Sequence, residues 1–153
     1  MTTQGSMKKS IDRLDAQFAD LHARSVDLIA RLSRERLYAK PDGSADSFGE
    51  QILRSAAVVE QSFGGLTANL WDDPFEWTLP ETLNAPTKVL EYLDEVEATR
   101  RHAFDSFESD DDLSKEIMTP AGRAQLLPFL LDTLRRARHH HQRAVTIYEL
   151  QNK

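Results

Sequence analysis

Residues 47–63 read SFGEQILRSAAVVEQSF, and the reading of this stretch decides the fold class. It opens as Ser-x-x-Glu, the form of a capping box, with Ser47 bonding inward and Glu50 reaching back. Ile52, Ala56, Val59 and Phe63 then recur every three or four residues, the period of a helix with one apolar stripe. The helix is expected to continue to about Ala68. Gly64 and Gly65 near its end either thin it for close packing or let it fray.

Working outward, the same period returns in three further places, and sustained period-two alternation in none. The first segment runs from about Ser10 to Arg34 on Ile11, Leu14, Phe18, Leu21, Leu28, Ile29 and Leu32. It is ended by the turn-forming KPDGSAD. The third begins after NAPTK, with Thr87 as cap, and carries Val89, Leu90, Leu93, Val96, Phe104 and Phe107. The fourth starts near Ala124, tolerates Pro128 in its first turn, and carries Leu127, Leu130, Leu131, Leu134, Ala137, Val145 and Tyr148.

Four such helices bury four stripes most economically as an all-α four-helix bundle. The connection LWDDPFEWTLPETLNAP is long enough to cross the end of a bundle. Its Trp71, Phe75 and Trp77 either cover that end or serve as a subunit interface or ligand lid.

At 153 residues the chain is expected to be a single domain, 1–153, with a flexible start over about residues 1–8. No apolar run approaches the roughly 20 residues of a membrane span, and no signal-like start is present. The absence of cysteine excludes disulfides, thiolate ligands and cysteine nucleophiles, and fits a cytoplasmic location. A net charge of −6 argues against nucleic acid as the partner. Arg135, Arg136, Arg138 and Arg143 form the sole basic patch, read as the charged outer face of a helix near its C-terminus.

His139, His140 and His141 raise the question of a metal. Successive helical side chains diverge by about 100°, so three in a row cannot converge on one ion. His141 falls near the centre of the inward stripe, His140 on its flank and His139 toward solvent. A helical metal pair needs ligands one turn apart, but Ala137 and Arg136 stand four residues before His141 and His140. The di-iron pattern Glu-x-x-His is also missing, since Glu97 leads to Arg100.

Inward stripes on the four segments place His22, Glu60, Glu97, Arg100 and His141 as ligand-pocket candidates, with His102 on the outer face. The cluster reads as a satisfied polar network, a small-molecule site or a metal site. A buried histidine near carboxylates is expected to hold its proton more tightly.

SFGEQILRSAAVVEQSF, the long crossover and the closing ARHHHQRAVTIYEL together resemble the DinB/YfiT-like family of bacterial four-helix bundles, over nearly the whole chain. The resemblance implies an up-down-down-up bundle, often dimeric. It also implies three histidines holding a divalent metal, zinc or nickel, in thiol-using transferases and isomerases. Carried over, the family's ligand positions fall on Ser55 (or Arg54), Ala137 and His141, so only His141 matches, as a remnant.

Two functions are therefore expected to compete. One is a noncatalytic small-ligand-binding or interaction protein with a degenerate metal site, forming a homodimer. The other is a thiol-dependent transferase or isomerase, still metal-dependent or not, with Arg100 binding a small anionic or thiol ligand and His141 or Glu60 moving protons.

Overall fold

The computed structural model describes residues 8–76, 78 and 80–152. Its elements in chain order are α1 (Lys9–Ala30), α2 (Arg34–Leu37), α3 (Phe48–Ala68) and a 3-10 turn (Pro74–Glu76). They continue with α4 (Pro86–Asp105), a second 3-10 turn (Asp110–Ser114), β1 (Glu116–Thr119), β2 (Gly122–Gln125) and α5 (Leu126–Gln151). The expected all-α four-helix bundle is thereby corrected: the described residues form five α-helices and a two-stranded antiparallel sheet. The expected flexible start, apart from Lys8, and Trp77 lie outside the described residues.

The sheet escaped the periodicity for a physical reason. Its register pairs Glu116 with Gln125, Ile117 with Ala124, Met118 with Arg123 and Thr119 with Gly122. Four-residue strands give too few alternations to stand out from their surroundings. Gly122, at φ +115°, takes up at the turn a backbone conformation that residues with a Cβ resist. Ala124 belongs to β2, and α5 starts two residues later, at Leu126.

Other boundaries shift as well. Helix α1 ends at Ala30 because Ser33 is extended (φ −78°, ψ 160°), and the chain turns into α2 so that Leu32 and Leu37 are both buried. Pro86 opens α4 behind Ala85, a position that suits proline because the first helical N–H has no partner to lose. Phe107 lies beyond α4 but still packs edge-on against Phe104, centroids 5.4 Å apart.

Helix α3 begins with the expected capping box. The Glu50 N–H donates to Ser47 Oγ at 3.1 Å and the Ser47 N–H to Glu50 Oε1 at 3.3 Å. It ends at Asn69 in the left-handed region (φ 57°), with Asn69 and Leu70 N–H donating to Gly65 and Gly64 carbonyls. Gly65 is there for packing: a Cβ would stand 2.3 Å from the Trp71 ring. That indole also meets Phe129 of α5 edge-on at 5.9 Å. Phe75, further along the crossover, lies under the Arg54 guanidinium at 4.1 Å.

Side-chain pairings give the helix directions. Asp15 meets Arg100 while His22 meets Glu97, so α1 and α4 are antiparallel. Ser55 bonds the Ala137 carbonyl and Ser62 bonds Thr133, so α3 and α5 are antiparallel too. Gln17 bonds Arg138 and Ser25 bonds His141, so α1 and α5 run the same way. Phe18, Phe63 and Phe104 meet at the centre with ring centroids 5.1–5.9 Å apart.

The start of α1 is capped from far away. Ser10 and Ile11 N–H groups each donate to the Asp110 carboxylate at 3.0 Å. Among the described residues no helix is long and apolar enough to cross a membrane.

Candidate functional site

Three of the five candidates meet on the seam between α1 and α4. Arg100, 3% exposed, is ion-paired with Asp15 of α1 and with Glu97 one turn before it. His22 Nε2 lies 3.4 Å from Glu97 Oε2 and 3.8 Å from Asp94 Oδ1. A buried guanidinium needs such partners, because an unpaired ion loses its hydration without replacement. The arrangement is a brace between two helices. With two carboxylates on it, Arg100 has little positive field left for an anionic or thiol ligand.

Behind the brace, Phe18, Leu21, Ile52, Val59 and Val96 enclose a cavity of about 40 Å³, into which Ser25 and Ser55 also face. That is room for two or three waters and no more. His141, buried, does not line the cavity but is tied to Ser25: its Nδ1 is 3.1 Å from Ser25 Oγ. His140 is half-buried, with Nδ1 2.9 Å from Gln51 Oε1, and His139 is exposed. The fifth candidate, Glu60, points away from this cavity, accepting from Thr99 Oγ1 at 3.3 Å.

Among the described residues no group of three His, Asp or Glu side chains is placed to hold a metal ion. The sequence has no cysteine, and the fold is not a plain four-helix bundle. These findings overturn both expected functions, the bundle protein with a degenerate metal site and the thiol-dependent transferase or isomerase. His141 answers to Ser25 where the resemblance implied a metal.

The expected proton-holding is corrected as well. Burial lowers the His22 pKa despite the Asp94 charge that opposes it. Burial, with help from Arg24, likewise lowers that of His141. In both cases loss of hydration outweighs the carboxylates. Neutral His22 and His141 therefore add stability above the usual imidazole value, and that stability is lost as pH falls through their lowered values. We expect urea midpoints to fall with acidification across this window. The decline should be shallower in His141→Leu and unchanged in His139→Leu.

Glu60 leads to a different place. A cleft of about 390 Å³ lies between α4 and the crossover, with Thr78, Lys88, Glu91, Tyr92 and Glu95 on its walls. The Thr78 Oγ1 and Tyr92 hydroxyl are buried and have no hydrogen-bond partner among the described residues; neither has Glu60 Oε2. Burial pushes the Glu60 carboxyl above its usual value, and Glu95 adds to this against the Thr99 hydrogen bond. Burial also raises the Tyr92 phenol, reinforced first by Glu60 and then by Asp73 and Glu95.

Sequence reasoning placed Glu60 with the other four candidates and passed over Tyr92 and Thr78. The available signal was the spacing of Tyr92, Glu95 and Thr99, a polar face beside the apolar stripe of α4. Nothing in the sequence marks Thr78.

No protein-family model and no curated protein matches the chain. Among solved structures it is similar to a conserved protein from Enterococcus faecalis, with a TM-score of 0.68 and 14% identity. The match covers 91% of this chain and 95% of that one. At such identity the likeness is one of fold alone.

Proposed function

We propose that the chain binds a small organic cation, an amine or a guanidinium, in the cleft between α4 and the crossover. One observation carries this: Thr78 and Tyr92, whose buried oxygens have no hydrogen-bond partner among the described residues, line a cleft whose charged walls, Glu91 and Glu95 against Lys88, are acidic. Buried polar atoms are normally satisfied, so a donor-bearing molecule is the missing partner. Its positive charge also offsets the cost of ionising Glu60 nearby.

The test is an NMR titration at fixed ionic strength with alkylamines, alkylguanidines and carboxylates of matched size. The cations are expected to saturate at millimolar concentration or below, and more tightly as pH rises through the raised Glu60 value. Tyr92→Phe should weaken them about tenfold, the loss of one hydrogen bond of roughly 1–1.5 kcal/mol. Glu60→Gln should flatten the pH dependence. Equal binding of carboxylates, or an unaltered Tyr92→Phe protein, would sink the reading.

Self-association is part of the proposal. Leu127 and Leu131, one turn apart on α5, are 37% and 48% exposed, an apolar pair suited to a second copy of the chain. Sedimentation equilibrium should show a homodimer that Leu131→Glu weakens; wild-type monomer throughout would remove this part. A cytoplasmic setting and the absence of a nucleic-acid partner are inferred from the lack of cysteine and the net charge of −6. Kinship with the DinB/YfiT-like family is likewise inferred, from residues 47–63 and 137–150 and without that family's metal chemistry.

A further inference from the structure

The opposite flank of the crossover carries a second cleft, of about 110 Å³, with the reverse chemistry. Arg54 of α3, Arg136 and His140 of α5, and Phe75 of the crossover line it, with Asp73 of the crossover as the one carboxylate among them. Arg54 makes no ion pair among the described residues and instead holds its guanidinium carbon over Phe75, 4.1 Å from the ring centroid. A cation–π contact of this kind holds a guanidinium in place without using up its N–H groups. Arg136 gives its Nε to Asp132 at 3.0 Å, which leaves its terminal nitrogens.

His140 is oriented by a chain of bonds. Gln51 Nε2 donates to Asp46 Oδ2 at 2.5 Å, so its Oε1 must accept, and His140 Nδ1 is the donor to it at 2.9 Å. Nε2 is thus the uncommitted ring nitrogen. It becomes a donor only when the ring takes up a proton.

We propose that this cleft is a site for one oxyanion group, a phosphate or a carboxylate, gripped by Arg54 and Arg136 and bound together with a proton on His140. The cleft has room for such a group, and in a chain of net charge −6 it gathers cations from two helices. The charges around His140 are Arg54 of α3, His139, Arg136 and Arg143 of α5, Asp46 before α3 and Asp73 of the crossover. Asp73 is already engaged by the Phe75 N–H at 3.0 Å, and Asp46 by Gln51. Burial, His139, Arg54 and Arg143 hold the His140 pKa low against Asp46. An anion relieves that repulsion and raises it.

The experiment is a titration of the full chain with inorganic phosphate and, separately, acetate, followed by the His140 ring and Arg54 Nε–H resonances, with chloride added to equal ionic strength as control. We expect saturable shifts, a His140 pKa that rises on saturation, and binding weakened at least tenfold in Arg54→Gln. Arg136→Gln should weaken it similarly, and Tyr92→Phe in the acidic cleft should leave it unchanged. Phosphate saturating well before acetate assigns a phosphoryl group, and the reverse order a carboxylate. Shifts reproduced by chloride, or wild-type phosphate binding in a folded Arg54→Gln or Arg136→Gln protein, would overturn the proposal.

Discussion

Arg100→Met is expected to lower the unfolding free energy by about 3–5 kcal/mol, measured by urea denaturation at neutral pH. The cost comes from what is left behind. Glu97 is largely buried and loses its counter-ion, while Asp15, partly exposed, rehydrates at smaller cost. The ordinary reading of a lost attraction would make the number depend on Arg100 alone. Desolvated carboxylates make it depend on Glu97 as well, so Glu97→Gln/Arg100→Met should recover a large part of the loss. A single variant as stable as wild type would mean that the pair rests in water and that no brace exists.

Phe63→Ala is expected to cost a further about 3–5 kcal/mol in its own right. The Phe63 ring has no exposed surface and touches both Phe18 and Phe104, so its removal opens a hole bounded by three helices. Rings of that size, held from several directions, cannot collapse inward to fill such a space. Phe63→Leu should lose markedly less. A small loss for Ala would show that the centre of the fold is loosely packed.

The helical segments were legible because each is long enough for its stripe to repeat several times, and because Ser47 and Glu50 announce a helix start by chemistry alone. What was not legible was short. The strands Glu116–Thr119 and Gly122–Gln125 offer two inward side chains, Ile117 and Ala124, and Arg34–Leu37 is a single turn. The candidate residues were partly recoverable for the same reason: inward phase placed His22, Glu97 and Arg100, but it could not say which seam each would join. Glu60 faces Thr99 and not Arg100, a matter of some tens of degrees around α3. Phase also cannot weigh hydration against charge, so the direction of the histidine shifts came out reversed. Thr78 acquires its importance only from where the crossover lies.

The Asp110 carboxylate that receives the Ser10 and Ile11 amides joins positions a hundred residues apart in sequence. A helix start of this kind cannot be completed locally, since Lys8 at the cap position makes no side-chain bond. The first turn of α1 therefore frays until the segment between α4 and β1 has docked. In native-state hydrogen exchange those two amides should open with the whole molecule, where the ends of helices ordinarily exchange first, and Asp110→Asn should return them to the fast class.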